Sequence, residues 1–279
     1  MTSTALPASR IAFIGGGNMA ASLIGGLCAG SAPPAIAVAD PAEENRARLA
    51  SRHPAIAAHA SNLDAADGAG VWVLAVKPQV LRTVCGELTA LAQERTPLVI
   101  SIAAGVTASQ IDRWLGGGQA IVRAMPNTPS LLGAGATGLY ANARVDTAGR
   151  AAAETLLATV GRTAWVRDEA QVDAVTAVSG SGPAYFFLLA EAMAEAGEEA
   201  GLDRDTARLL AAQTAFGAGR MLAESDEDAA TLRRRVTSPG GTTQAAVEAL
   251  ESGGLRDVVR RAVAAAAARG RSLAAENDD

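Results

Sequence analysis

Aromatic side chains are scarce. Phe, Trp and Tyr make up 3% of the 279 residues, although 49% of the chain is hydrophobic. The apolar content is therefore mostly Ala, Val and Leu, which suits closely packed helices. Cysteine is as rare: Cys28 and Cys85 both stand inside apolar patterns and read as small buried hydrophobes, with no metal-ligand spacing around them. Histidine occurs twice, as His53 and His59 in SRHPAIAAHA, a stretch read as a helix end and a loop. Neither lies in a motif, so an enzyme that uses His as acid or base has no candidate here. Basic charge is not in excess. With 24 Lys and Arg against 29 Asp and Glu, the net charge of -5 disfavours a nucleic-acid partner. No uninterrupted apolar run approaches the ~20 residues of a membrane helix, and MTSTALPAS lacks the apolar core of a signal peptide. The expectation is a cytoplasmic protein of one or two domains, with neither nucleic acid nor membrane as partner.

The strongest local signal is RIAFIGGGNMAASLIGGLCAG. Arg10–Ile14 is a short apolar strand; Gly15, Gly17 and Ala20 then form G-x-G-x-x-A, and a helix with apolar Met19, Leu23 and Leu27 follows. A dinucleotide site needs this arrangement. The first glycine permits the tight turn, the second admits the pyrophosphate, and the small third residue lets helix and strand pack. The helix N-terminus then faces the phosphates. A second strand, AIAVAD (35–40), ends in Asp40. An acid there hydrogen-bonds a ribose 2′-OH and repels a 2′-phosphate. Equally, Asp40 beside Pro41 caps the helix read over 43–52, where Arg46 and Arg48 could still receive a phosphate.

Strands and helices keep alternating. VWVLAV (71–76) reads as a buried parallel strand, stopped by Lys77 and Pro78, with a helix over 79–91. PLVISI (97–102) leads into AAG, and Thr107 starts a short helix through Trp114. QAIVRAM (119–125) is broken by PNTP (126–129); an added strand over 134–140, an amphipathic helix over 145–160 and a last strand over 162–166 complete the half. The loops follow the carboxyl ends of strands, where open α/β sheets bind ligands. From about Glu169 no strand is evident. Helical patterns cover 170–178, 184–200, 205–223, 229–236, 242–251 and 255–275, with Gly201 as a stop and Asp203 or Asp205 as the next cap. The fold class is α/β: a Rossmann-type doubly wound sheet over 1–167, then an all-α domain over 168–279. Gly197, Gly217 and Gly219 inside helices imply tight crossings and a dimer made by the helical domains.

Two glycine-rich helix starts fall in this second half. SGSGPAYFFLLAEA, from Ser179, lacks the Gly-Lys-Ser/Thr of a nucleotide phosphate loop, and Pro183 fits a first helical turn. SPGGTTQAAVEAL, from Ser238, places two glycines and two threonines before an apolar helix. One such segment alone reads as capping; two of them, beside a nucleotide domain, read better as an anion pocket.

These segments resemble the pyrroline-5-carboxylate reductase family. The matching pieces are IAFIGGGNMA, AVKPQ, AAGV, MPNTP, AVSGSGPAY and SPGGTTQAAVEALESGG, in that order along nearly the whole chain. The resemblance implies a Rossmann domain, a helical domain that dimerises and often builds larger rings, and NADPH or NADH as hydride donor. It assigns Ile14, Gly15, Gly16, Gly17, Asn18 and Met19 to the pyrophosphate loop. Asn62, Ala75, Val76, Lys77, Pro78, Ile102, Ala103 and Ala104 line the rest of the cofactor; Asp40 stands where NADPH-using members often place a hydroxyl or basic group, so this chain is expected to accept NADH well. Thr237, Ser238, Thr242 and Thr243 meet the substrate, Thr243 giving its hydroxyl to the ring nitrogen, and Asp226 is an acidic group near the site.

The implied reaction is reduction of 1-pyrroline-5-carboxylate to L-proline. An imine is basic, so solvent or one hydroxyl can supply its proton, and the absence of a placed His or Lys fits. A 3-hydroxyacid dehydrogenase of the same plan needs a lysine in the helical half, and none occurs after Glu169. A non-catalytic nucleotide sensor is the other alternative.

Overall fold

The computed structural model describes residues 10–276; the N-terminal stretch MTSTALPAS lies outside the described residues. Two compact units divide the described residues, one of 10–180 with 266–276 and one of 181–265.

The first unit opens with β1 (Arg10–Ile14), α1 (Asn18–Cys28), β2 (Ile36–Ala39), α2 (Glu43–Arg52), β3 (Ala57–His59), α3 (Asn62–Ala66), β4 (Ala69–Leu74) and α4 (Pro78–Arg95). It continues with β5 (Leu98–Ser101), α5 (Ala108–Trp114), β6 (Ala120–Met125), a 3₁₀ turn (Thr128–Leu132), β7 (Gly135–Ala141), α6 (Thr147–Ala158), β8 (Gly161–Trp165) and α7 (Gln171–Val175). The eight strands form one sheet in the order β3-β2-β1-β4-β5-β6-β7-β8. Every pair is parallel except β6 with β7.

Side-chain alternation builds a core on each face of this sheet. Ile11 and Phe13 of β1, with Val71 and Val73 of β4, pack beside Leu23 and Ile24 of α1 and Leu156 of α6. Ala12 and Ile14, with Trp72 and Leu74, pack on the other face beside Leu81 and Leu88 of α4 and Ile111 of α5. Helices on both faces are the reason these strands read as unbroken apolar runs. Each large side chain fully buried in this way contributes roughly 1.5–3 kcal/mol. Cys85 lies in the second core, and burial pushes its thiol up to about 12, which leaves it inert as a nucleophile.

Local signals set several boundaries. Thr107 and Gln110 form a reciprocal capping box at the start of α5. Arg123 of β6 is nearly buried and pairs with Glu169 Oε1 at 2.8 Å, an oxygen that also accepts the Ala108 N–H. A charge that deep needs such a partner.

Two readings change. SRHPAIAAHA is not only a helix end and a loop: Ala57–His59 is an edge strand, paired with β2 through Ala39 and His59. After it, Asn62 opens a one-turn helix capped by Ser61. SGSGP opens a helix at Gly182, with Pro183 in its first turn as read, but what precedes it is not a loop. Residues Thr176–Gly180 form a π-helical turn inside the helical stretch Gln171–Glu199, interrupted only by a bend at Ser181. That stretch is long and apolar enough to cross a membrane by length and composition, with Glu191 and Glu195 interrupting its apolar side chains.

The second unit holds α8 (Gly182–Glu199), α9 (Arg204–Glu224), α10 (Ala229–Arg235), α11 (Thr242–Ser252) and the first part of α12 (Leu255–Glu276). Gly201 ends α8 with φ +102°, and Asp203 caps α9 by accepting the Thr206 N–H. α8 and α9 cross closely: a Cβ on Gly197 would stand 3.3 Å from that of Ala207. Gly217 and Gly219 face open space. Buried apolar residues of this unit cluster only as Ala194, Ala207 and Ala211, while Phe186, Phe187, Leu188, Leu209, Leu210 and Phe216 are exposed.

Candidate active site

The glycine loop joins β1 to α1 at the centre of the sheet, where the strand order turns back between β1 and β4. Gly15 has φ +104°, and a Cβ there would lie 2.6 Å from the Ala75 carbonyl oxygen, so only glycine lets the two loops approach. Gly17 is the N-cap of α1, with no side-chain cap, and a Cβ on it would meet nothing within 4 Å. The first turn of α1, Asn18 and Met19, thus opens onto free space, as an anion site at a helix start requires.

Neighbouring loops leave the same edge of the sheet. Ala75, Val76 and Lys77 follow β4, with Pro78 opening α4; Ile102, Ala103 and Ala104 follow β5. Ladder-type bonds hold these loops in step: Ala75 N–H donates to Ile14 O at 2.8 Å, and Ile102 N–H to Leu74 O at 3.1 Å. Lys77, the sole lysine of the chain, is exposed at the N-cap of α4. Asn62 begins α3 beyond β3, but its carboxamide is turned to Glu87 Oε2 at 2.9 Å. Asp40, directly after β2, is buried, and its carboxylate accepts the N–H groups of Gly16 and Ala42, each at 2.8 Å. The N-cap of α2 is Ala42, so Asp40 reaches the helix start from two residues upstream.

PNTP has a structural partner that its spacing did not reveal. Asn127 is buried; its Nδ2 donates to Ser179 O at 3.0 Å and its Oδ1 accepts the Ala136 N–H at 2.9 Å. It thereby brackets the π-helical turn, against which Met125 also packs closely at Gly180. Only the three-dimensional pairing, 52 residues apart, exposes this role.

In the second unit, residues 236–241 link α10 to α11. Gly240 has φ +70° and turns the chain into the helix. Its N–H donates to Gln244 Oε1 at 2.7 Å, and the Gly241 N–H to Ser238 O at 3.0 Å. Gly241 is the N-cap of α11, and no side chain caps that end. The hydroxyls of this segment therefore do not serve as its cap. Thr242 and Thr243 occupy the first turn, and Thr237 Oγ1 donates back to Arg233 O at 2.6 Å. Ser238 is exposed in the link, and Asp226 is exposed between α9 and α10.

A dinucleotide-type loop on a parallel sheet, followed by a helical unit with an uncapped helix start, defines a Rossmann-type oxidoreductase. The comparisons with known proteins narrow the class. Residues 10–105 match the profile of NADP-dependent, coenzyme F420-dependent oxidoreductases, and residues 169–273 match the profile of pyrroline-5-carboxylate reductase dimerisation. The pyrroline-5-carboxylate reductase of Pseudomonas aeruginosa is 53% identical, over 95% of this chain and 97% of its own. A solved pyrroline-5-carboxylate reductase from Coxiella burnetii superposes with TM-score 0.92 at 45% identity, over 95% of this chain and 98% of that one. A pyrroline carboxylate reductase from Plasmodium falciparum, solved with NADP bound, gives TM-score 0.80 at 27% identity, over 95% and 98%. The chain belongs to the pyrroline-5-carboxylate reductase family.

Proposed function

We infer that the chain reduces 1-pyrroline-5-carboxylate to L-proline with NAD(P)H, the closing step of proline biosynthesis. The observation that carries this is 53% identity to a pyrroline-5-carboxylate reductase across 95% of the chain. The residues present fit a dinucleotide: the open space over Gly17 and the uncapped start of α1 suit a pyrophosphate. The loop from Ile14 through Met19 would hold that group, with Asn62, Ala75 through Pro78 and Ile102 through Ala104 beside it. When bound, the reduced nicotinamide supplies the hydride that the C=N carbon accepts.

The helical residues hold the imine. The free N–H groups in the first turn of α11 receive the substrate carboxylate, since those of Gly240 and Gly241 are already engaged. Thr243 Oγ1 meets the ring nitrogen and passes it a proton, while Thr237, Ser238 and Thr242 line the carboxylate end and Asp226 adds an acidic group nearby. Positioning supplies most of the rate gain, because the basic imine needs no strong acid. Residues 1–167 serve the cofactor and 168–279 serve substrate and assembly. The protein works in the cytoplasm as a homodimer, or a larger ring of dimers, that covers the exposed apolar side chains of α8 and α9. The chain's sole lysine, Lys77, follows β4, so nothing favours the hydroxyacid reading.

The test follows absorbance at 340 nm with pyrroline-5-carboxylate and either reduced cofactor. Loss of absorbance with one proline formed per cofactor consumed is expected. No consumption with either cofactor overturns the reading.

A further inference from the structure

The glycine loop is tied on both sides by the βα unit that follows it. The Gly16 N–H donates to Asp40 Oδ2 at 2.8 Å, and the Gly16 carbonyl accepts from Arg48 Nη2 at 3.0 Å. Both polar groups of one loop peptide residue are therefore taken by side chains from beyond β2. Asp40 is 8% exposed, and its two oxygens also accept the Ala42 N–H at 2.8 Å and Asn45 Nδ2 at 3.2 Å. All of these donors are neutral N–H groups; the guanidiniums of Arg46 and Arg48 stand on neighbouring carbonyls rather than on the carboxylate.

The arginines that a 2′-phosphate would call on are directed elsewhere. Arg46 Nη1 donates to the carbonyls of Asp40 at 2.7 Å and Pro41 at 2.9 Å. Arg48 is held to Gly16 through Nη2, although its Nε is buried with no hydrogen-bond partner. An anion that engaged the remaining donors of Arg48 would sit beside a buried carboxylate. Like charges brought together at a binding surface weaken binding.

We propose that Asp40 and Arg48 are a positioning pair that sets the glycine loop, and that the buried charge of Asp40 makes NADH the preferred cofactor over NADPH. This rests on the dinucleotide site proposed above. The pair acts on both cofactors through Gly16, whereas the charge acts on NADPH alone.

The experiment titrates the full chain with NADH and with NADPH by nicotinamide fluorescence, without substrate, for the parent, Asp40→Asn and Arg48→Lys. The parent should bind NADH about tenfold or more tightly than NADPH. Asp40→Asn should bring the ratio of the two affinities towards one, even while the loosened loop weakens both. Arg48→Lys should weaken both by a similar factor and keep the parent's ratio. A parent that binds NADPH as well as or better than NADH overturns the proposal, as does an unchanged ratio in Asp40→Asn. So does a selective loss of NADPH affinity in Arg48→Lys, which would make Arg48 a phosphate ligand. Should Asp40→Asn not fold, the parent ratio and Arg48→Lys still decide. Because binding is read without turnover, an enzyme that works but prefers NADPH fails here alone. One that binds NADH selectively yet leaves pyrroline-5-carboxylate unreduced fails only the reaction reading.

Discussion

Phe13 in β1 and Phe187 in α8 are the same side chain in opposite settings. Phe13 is 0% exposed between sheet and helices, whereas Phe187 is 68% exposed on a helix of the second unit. The contrast holds for the units as wholes. The first buries two continuous apolar layers against its sheet, and the second buries a cluster of three alanines. A methyl group offers only about 0.8 kcal/mol on burial, so three alanines leave the helical unit far from self-sufficient. One unit carries its stability in its own chain; the other carries exposed apolar faces, which the proposed homodimer would cover.

The largest expected effect tests the self-sufficient side. Phe13→Ala should cost about 3–5 kcal/mol in urea denaturation, independent of protein concentration. Phe187→Ala should instead give a loss that shrinks on dilution, because the assembly it weakens stabilises by mass action. A concentration-independent loss at Phe187 would erase the distinction between the units.

Gly17→Val comes next. The added side chain fills the open space over α1, so NAD(P)H affinity should fall on the order of 100-fold in a fluorescence titration. The sedimentation profile should stay that of the parent, since the lesion sits in the first unit. A parent-like affinity would remove the loop from the cofactor site.

Thr243→Ala, in the other unit, should lower kcat by about 100-fold, the low end for a placed proton donor, and leave cofactor affinity intact. Thr243→Ser should restore most of the rate. Equal kcat for Ala and parent would take the hydroxyl out of the chemistry.

The smallest effect concerns the helix caps of the second unit. The hydroxyl and N–H of Thr206 hold the Asp203 carboxyl below its ordinary value, and the N–H and hydroxyl of Thr231 do the same for Asp228. A folded-state value below the unfolded one means that the caps stabilise at neutral pH, and that this is lost as pH falls through the depressed values. Acid titration followed by circular dichroism should show α9 and α10 weakening only below the ordinary carboxylate range. Asp203→Ala should lower Tm slightly at pH 7 and flatten that acid limb. An unchanged limb would show that the cap at Asp203 is idle.

The first unit was the more legible in sequence, and the reason is physical. Strands buried on both faces read as apolar runs, and Gly15 with Gly17 marks a turn of fixed chemistry. The edge strand Ala57–His59 has only three residues and no buried side chain, so no pattern announces it. The short helix after it, Asn62–Ala66, is a single turn. Asp40 illustrates a different limit. Its place after β2 was readable, but its bond to Gly16 spans 24 residues and depends on how the strands pair. At SPGGTT the residue types announced an anion site, whereas the engagement of Gly240 with Gln244 and of Gly241 with Ser238 appears only in three dimensions. SGSGP misled because glycines resemble a loop, while Asn127 and Met125 hold them in a widened helical turn.

The claim on which the account turns is that the imino acid is held where α11 begins. A crystal of the full chain soaked with L-proline tests it directly. The account predicts the carboxylate on the N–H groups of the first turn and the ring nitrogen within hydrogen-bond reach of Thr243 Oγ1. Proline bound away from Thr243 would contradict it.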